Sequence, residues 1–192
     1  MELLTIGIIS YLIGSIPFGL ILTKIFLKKD IRDIGSGNIG ATNVLRTGNK
    51  LIGYSTLLLD VIKAVIPVLY VKVNYPELLH ISALCAFLGH VFPLWLKFKG
   101  GKGVATYVGI LFSLNFILGL VFGFCWLIVF FVSKYSSIAS LSGSASIPIY
   151  VLFFDKTENI IFFGIMFILI FFTHRENIKR LKNKEETKTK IY

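Results

Sequence analysis

Long, uninterrupted runs of apolar residues constrain this chain more than any other feature of its sequence. Of its 192 residues, 55% are hydrophobic and 16% are charged, whereas a soluble domain carries about a quarter charged residues. A run of about 20 apolar residues is long enough to cross a bilayer as a helix. The sequence therefore predicts an all-α integral membrane protein, with a single domain over residues 1–182 and a basic, disordered tail over residues 183–192.

The distribution of basic residues predicts how the chain crosses the membrane. The apolar runs are Leu3–Thr23, Leu51–Val71, Leu79–Leu96, Val104–Val132, Ile138–Phe154 and Ile160–Thr173. Lys and Arg cluster in residues 24–50, 97–102 and 175–192, and such clusters favour the cytoplasmic side. All three clusters lie on that side only if the long fourth run is divided near Asn115. We therefore expect seven transmembrane helices, with the N-terminus outside and the C-terminus cytoplasmic.

The division makes the fourth crossing short. We expect one helix over Val104–Phe112 and a full-length one over Phe116–Val132. A helix of about ten residues covers only about half of the hydrocarbon layer, so protein or water must shield its end.

The first candidate binding segment is GSGNIGATNVLR at residues 35–46. A glycine-rich turn lets backbone amides converge on an anion, and an arginine adds a bidentate cation. We expect a short helix over residues 42–46, stopped by Gly48. The segment also matches the spacing of a dinucleotide fingerprint, but that fingerprint needs a strand before it and a βαβ unit around it. The alternative is a flexible connector between two spans.

Two further segments carry polar or basic residues next to apolar runs. FKGGKGVAT at residues 98–106 has glycines for close approach to a ligand and lysines for a phosphate, or else it is a flexible turn whose lysines fix topology. HRENIKRL at residues 174–181 is expected to continue the last helix, with His174 and Asn177 on one face. Its alternative is a tether to anionic lipid. The serine-rich start of the sixth run, with Ser137 and Ser140, either donates to an anion or permits close helix contact.

Charged residues inside the spans predict less. Asp60 and Lys63 lie three residues apart in the second run and are expected to pair with each other or with a neighbouring helix, and both a functional and a structural role stay open. We expect His90 to shape the third helix by packing. The histidines and the two cysteines have no metal-ligand spacing, so we expect neither a metal nor a cofactor.

Together the three segments resemble the bacterial acyl-phosphate-dependent glycerol-3-phosphate acyltransferases of the inner membrane. The matching stretches are GSGNIGATNVLR at 35–46, GHVFPLWLKFKGGKGVAT at 89–106 and HRENIKRL at 174–181. The family usually has a glycine shortly before the glutamate that closes the third segment, where this chain has Lys184. Which of Glu185 and Glu186 takes the family position is open.

The resemblance implies transfer of an acyl group from acyl phosphate to the 1-hydroxyl of glycerol 3-phosphate. We expect catalytic roles for Ser36, Arg46, Lys102, His174 and Asn177. The expected substrate-binding residues are Gly37, Asn38, Ile39, Gly40, Thr42, Asn43, Lys99, Gly100, Gly101, Ser137 and Ser140. The expected partners are the two substrates and membrane lipid, with no nucleic acid and no protein partner, and the expected location is the bacterial inner membrane with a cytoplasmic active site. The alternative function is a transporter of small phosphorylated organic anions.

Overall fold

The chain is helical throughout the part that the structure, a computed structural model, describes, which is residues 1–155 and 159–189. Within these residues there is no strand, so the predicted all-α class is confirmed. The α-helices are α1 Glu2–Gly14, α2 Phe18–Leu27, α3 Ala41–Leu45, α4 Lys50–Asn74, α5 Leu79–Val91, α6 Val104–Leu114, α7 Phe116–Ser133, α8 Ser136–Phe154, α9 Ile160–Thr173 and α10 Arg175–Lys182. Short 3₁₀ turns lie at Ile31–Asp33, Pro76–Leu78 and Leu94–Leu96.

The helices form two compact units. The first covers Met1–Leu114, and the second begins at Asn115. The expected single domain over residues 1–182 and the disorder of the tail over residues 183–192 stay predictions. Residues 190–192 lie outside the described part of the chain, whereas residues 183–189 are described.

In the first unit, α1 packs on α5, and α4 packs on α5 and α6. Glycines allow the backbones of α1 and α5 to touch. A side chain at Gly14 would run into the carbonyl of Ala86, and one at Gly89 would run into the carbonyl of Tyr11. Small residues at such contacts are typical of helix packing in membranes.

The first apolar run contains a break that the sequence analysis did not predict. Glu2–Leu27 is long and apolar enough to be one span, but α1 ends at Gly14 and α2 begins at Phe18. Pro17 has no N–H group to continue the helical ladder, so carbonyl groups near the break need other donors. The carbonyl oxygen of Ile16 accepts from Lys63 Nζ at 2.7 Å.

The predicted division of the fourth run is confirmed, because α6 ends at Leu114 and α7 begins at Phe116. The side chain of Asn115 caps α7 by accepting from the amide of Ile117 at 3.0 Å. The ammonium of Lys72 donates to the carbonyls of Ser113 and Leu114, each at 2.8 Å. The last carbonyl groups of the short helix α6 are therefore hydrogen-bonded by a lysine of α4, so protein shields this helix end, as its length requires.

The described residues include four stretches that are long and apolar enough to cross a membrane. They are Glu2–Leu27, Pro76–Leu96, Phe116–Ser133 and Ser136–Phe154. A fifth is the pair of α9 and α10, which is bent by 56°. The expectation that residues 174–181 simply continue the last helix was wrong, because the axis turns at His174. The number of crossings and their orientation stay predictions.

Candidate active site

The first glycine segment, residues 35–46, is held in shape by the side chain of Asn43, which is 3% exposed. Its Oδ1 accepts from the amide of Ser36 at 3.0 Å. Its Nδ2 lies within hydrogen-bond distance of the carbonyls of Ile31, Ile34 and Asn38, at 3.2, 2.8 and 2.8 Å. These contacts use the whole amide group inside the loop. Asn43 therefore shapes the loop, and its side chain does not face a ligand.

The expected cradle of converging backbone amides is only partly present. The amide of Ser36 donates to Asn43, that of Gly37 to the carbonyl of Ile34 at 3.0 Å, and that of Gly40 to Asn38 Oδ1 at 2.9 Å. Tight turns consume these donors because each turn closes on its own amide. An anion at this loop must therefore be held by other groups than these three amides.

The side chains of the first segment divide into core and surface. Ile39 is 3% exposed and packs in the hydrophobic cluster of Leu20, Ile31, Val44 and Ile52. The Ile39 side chain is thus part of the core, and the expected ligand contact of Ile39, which was assigned to its backbone amide, stays a prediction. Ser36 and Thr42 are exposed, and Asn38 is half-buried.

Arg46 extends over this loop without a carboxylate partner among the described residues. An ideal Cβ at Gly35 would lie 3.0 Å from Arg46 Cδ, so glycine at this position leaves room for the arginine. Arg32, in the preceding turn, differs: its guanidinium bonds Asp30 through two nitrogens, at 2.9 and 2.6 Å. This bonding from Arg32 holds the pKa of the Asp30 carboxyl well below its usual value. Arg46 therefore keeps its bidentate donors for an anion.

The glycines of the second glycine segment, residues 98–106, make packing contacts within the chain. The amides of Gly100 and Gly101 donate to the carbonyls of Val91 and His90, both at 3.0 Å. A side chain at Gly101 would run into the imidazole of His90. The amides and close approaches of Gly100 and Gly101 are thus used by α5, and the expectation that these glycines admit a ligand to the main chain stays a prediction. The segment offers a ligand its exposed Lys99 and its half-buried Lys102.

In the second unit, His174 lies at the bend between α9 and α10 and is 2% exposed. Its Nδ1 is 2.8 Å from the carbonyl oxygen of Ile170. Because a carbonyl oxygen only accepts, Nδ1 carries a proton. In the neutral imidazole Nε2 is then the unprotonated nitrogen, which is the form that accepts a proton.

Glu186 is a residue that the sequence analysis did not assign to the site. Its Oε1 accepts from Ser137 Oγ at 2.9 Å and from Asn177 Nδ2 at 2.6 Å. Its Oε2 accepts from Arg180 Nε at 2.7 Å. Two residues predicted for the site, Ser137 and Asn177, are thus brought together by one carboxylate. Glu185, by contrast, is exposed, so the contacts of Glu186 favour Glu186 for the family position, which stays a prediction.

The turn after α10 places Glu186 within hydrogen-bond distance of its partners. Lys184 has a φ of 60°, a left-handed conformation that glycine adopts most easily, and this is where the family usually has glycine. Partial burial on its own raises the pKa of the Glu186 carboxyl. The hydrogen bonds and the charge of Arg180 outweigh it, so the pKa lies below its usual value. Glu186 is therefore an ionised acceptor at neutral pH.

Ser140 is used differently from Ser137. Its hydroxyl donates to the carbonyl of Ser136 at 2.8 Å and accepts from Trp126 Nε1 at 3.2 Å. These bonds tie α8 to α7, as the packing alternative for the serines expected. Among residues 1–155 and 159–189, no three His, Cys, Asp or Glu side chains are grouped to hold a metal ion.

The apolar spans, together with polar segments that carry Arg46, Lys99 and Lys102, fit an integral membrane protein that is suited to phosphate-bearing ligands. The chain belongs to the glycerol-3-phosphate acyltransferase family, whose model matches residues 4–184. A protein of Pelagibacter ubique named glycerol-3-phosphate acyltransferase is 72% identical over 192 residues, with 100% of both chains covered. A protein of the same name from Bradyrhizobium diazoefficiens is 47% identical and covers 94% of this chain and 92% of its own.

Solved structures agree with the family. The fold matches a crystal structure of PlsY (YgiH), an integral membrane glycerol 3-phosphate acyltransferase, in its glycerol 3-phosphate form, with a TM-score of 0.90 and 35% identity. That match covers 98% of this chain and 96% of the other. The lysophosphatidic acid form of the same protein matches with a TM-score of 0.89 and 34% identity, covering 98% of this chain and 95% of the other.

Proposed function

We propose that this chain transfers an acyl group from an acyl phosphate to the 1-hydroxyl of glycerol 3-phosphate. The products are 1-acyl-glycerol 3-phosphate (lysophosphatidic acid) and inorganic phosphate, and the reaction is the first step of phospholipid synthesis. Membership of the glycerol-3-phosphate acyltransferase family carries this proposal. Further support comes from the similar PlsY structures, whose two forms hold an acceptor and a product of this type.

The resemblance to the acyl-phosphate-dependent enzymes carries the choice of acyl phosphate as the donor, and the described residues are compatible with it. Both reactants then carry a phosphate, which requires several cations, and Arg46, Lys99 and Lys102 supply them. An acyl phosphate is already activated, so the reaction needs no covalent intermediate on the protein. What the protein must do is align the hydroxyl with the acyl carbon and neutralise the leaving phosphate.

We propose the residue roles segment by segment. In the first unit, the Ser36 hydroxyl and the Arg46 guanidinium contact a phosphate, while Asn43 fixes the loop that carries them. Lys102 neutralises phosphate charge, and Lys99, Asn38 and Thr42 keep their proposed roles in substrate contact. In the second unit, His174 and Asn177 are proposed to position glycerol 3-phosphate.

The bond changes balance without a further reactant. The 1-hydroxyl oxygen forms a bond to the acyl carbon, the bond from that carbon to the phosphate oxygen breaks, and phosphate leaves with the electron pair. The hydroxyl proton goes to a substrate phosphate, which is the preferred acceptor, or to Nε2 of His174. If His174→Ala abolishes turnover while glycerol 3-phosphate still binds, the preference for the substrate phosphate fails.

We also propose seven crossings in the bacterial inner membrane, with the N-terminus outside and the C-terminus and active site in the cytoplasm. The three basic clusters support this orientation. Single cysteines at Lys97 and Glu77, in a chain with Cys85 and Cys125 replaced by alanine, test it. An impermeant thiol reagent added to intact cells should label the Glu77 site and spare the Lys97 site. The reverse pattern contradicts the orientation.

Purified protein supplied with labelled glycerol 3-phosphate tests the reaction itself. Acyl phosphate should give lysophosphatidic acid with one phosphate released per acyl group transferred, whereas acyl-CoA and acyl carrier protein should give none. Equal product from acyl-CoA would overturn the donor assignment. Uptake of glycerol 3-phosphate into liposomes without lipid product would favour the transporter alternative.

A further inference from the structure

A buried ion pair lies inside the first unit, next to the second glycine segment. Lys63 Nζ is 2.7 Å from Asp60 Oδ1, and both side chains are almost fully buried. His90 Nδ1 is 3.8 Å from the same oxygen. Burying such charges is costly, and apolar residues of similar size often stabilise a protein as well or better. The reaction proposed above uses none of the three residues, so their position requires another reason.

The ammonium of Lys63 connects this pair to the break between α1 and α2. It donates to the carbonyl of Ile16 at 2.7 Å, a group that the break removes from the helical ladder. The same break is hydrogen-bonded to Trp95, which lies shortly before the second glycine segment. Trp95 Nε1 lies 3.0 Å from the carbonyl oxygen of Ser15 and 2.9 Å from its hydroxyl oxygen.

The imidazole of His90 connects the pair to the second glycine segment. Gly101 packs so closely on the ring that a side chain there would overlap it. The backbone of His90 also accepts from the amide of Gly101. The next residue is Lys102, so a shift of the His90 ring moves the backbone that carries this lysine.

The first glycine segment rests on the other side of the same break. Gly19, in the first turn of α2, touches the carbonyl of Ile39, and a side chain at Gly19 would overlap that carbonyl. The position of α2 after the break therefore sets the position of the loop that carries Arg46. A continuous path runs from one glycine segment to the other through the break and the ion pair.

We propose that Asp60, Lys63 and His90 form a positioning cluster that holds the two glycine segments at a fixed separation. The cluster acts through the backbone and touches no substrate. The inference rests on the proposed function in one respect, since it takes the two segments as the parts that align the two phosphorylated reactants. The substitutions leave the internal hydrogen bonds of the first segment and the backbone bonds of the second segment to α5 available, so binding of each reactant should suffer less than their alignment.

The double variant Asp60→Asn with Lys63→Met tests this directly. Removing both charges avoids the isolated buried charge that a single substitution leaves, which is the costly case. The matched control is Lys72→Met, which removes another lysine of α4 that donates to backbone carbonyls. A second variant, His90→Asn, leaves the ion pair in place and removes the ring under Gly101.

Two readouts separate positioning from stability. The first is steady-state kinetics with both substrates. Misalignment by about 1 Å costs up to about a hundredfold in rate, so we expect kcat to fall about tenfold to a hundredfold. The KM values should stay within about threefold, because ground-state binding is retained. The second readout is the distance distribution between spin labels at Asp33→Cys and Lys97→Cys in the cysteine-free chain, which should broaden in both cluster variants.

The control should lower the melting temperature and leave kcat and the label distance as in the original chain. The proposal is overturned if a folded cluster variant keeps both its kcat and its label distance. It is equally overturned if neither cluster variant folds while Lys72→Met does, because the cluster would then serve folding alone. If the unaltered chain transfers no acyl group, the proposed function fails, while the label distances still decide whether the cluster sets the separation.

Discussion

Arginines are paired differently in the first glycine segment and in the Glu186 network, which is Glu186 with Ser137, Asn177 and Arg180 in the second unit. Arg46 has no carboxylate partner among the described residues, whereas Arg180 is bonded to Glu186 at 2.7 Å. Arg32 resembles Arg180, since Asp30 neutralises it. An arginine without an acidic partner can form a bidentate pair with a phosphate, and a neutralised one holds structure. The comparison therefore separates Arg46, the arginine that we propose binds substrate, from two arginines that are paired with carboxylates.

The largest expected effect comes from removing the uncompensated arginine. Arg46→Ala should lower kcat/KM by about a hundredfold or more, the loss expected when a donor to developing charge is removed. The melting temperature should stay unchanged, since the side chain is exposed and makes no ion pair in the described residues. Arg32→Ala is the matched control from the same region, and its kcat/KM should stay within about threefold, as expected for a surface pair. Equal losses in the two variants would contradict a role for Arg46 that Arg32 does not share.

The Glu186 network should respond in stability and, less strongly, in activity. Glu186→Gln keeps the shape but removes the charge that Ser137, Asn177 and Arg180 share. Hydrogen bonds to charged groups contribute about 1.5–3 kcal/mol, so the variant should melt at a lower temperature, and we expect kcat to fall about tenfold as Asn177 loses its orientation. Glu185→Gln, one residue away and exposed, should change neither. A stable, fully active Glu186→Gln protein would show that this carboxylate holds nothing needed for the reaction.

The same network predicts a dependence of stability on pH. The pKa of Glu186 in the folded protein is lower than its ordinary value of 4.5. Its contribution is therefore fully present above that value and is lost as pH falls through the lower folded pKa. Thermal melts of the original chain and of Glu186→Gln should converge as the pH drops below about 4. A constant difference between the two proteins across this range would contradict the ionised state of Glu186.

The smallest expected effect is at Lys184. Its left-handed backbone costs a non-glycine residue about 1 kcal/mol, and the greater freedom of glycine in the unfolded chain offsets part of that gain. Lys184→Gly should therefore raise the melting temperature by about 1–2 °C. Lys179→Gly, at an exposed position inside α10, should lower it because glycine weakens a helix interior. A decrease at both positions would show that the turn does not favour glycine.

The sequence predicted those features that depend on the charge distribution of the chain or on spacing along one helix. The end of α6 near Asn115 followed from the distribution of basic residues, and the pairing of Asp60 with Lys63 was one of the two pairings expected from their spacing on one helix face. The break at Pro17 was missed, although proline inside an apolar run is a signal for it. The bend at His174 has no comparable local signal.

Contacts between distant residues could not be predicted in the same way. Glu186 reaches Ser137 across 49 positions, and nothing in the local pattern of the tail specifies this partner. The use of the Ser36, Gly37 and Gly40 amides within their own loop was missed for a related reason. A glycine-rich sequence permits both a cradle for an anion and a self-closing turn, and here the acceptors are Asn43, Asn38 and the carbonyl of Ile34.

The central claim is that Arg46 binds the phosphate of a substrate because no acidic side chain of residues 1–155 and 159–189 forms an ion pair with it. Titration calorimetry of the purified protein with glycerol 3-phosphate tests this most directly, with Arg46→Ala and Arg32→Ala measured beside the original chain. We predict that Arg46→Ala weakens the affinity by about tenfold or more, the scale of a lost charge-assisted hydrogen bond, while Arg32→Ala leaves it unchanged. An Arg46→Ala protein that binds glycerol 3-phosphate as tightly as the original chain would contradict the claim.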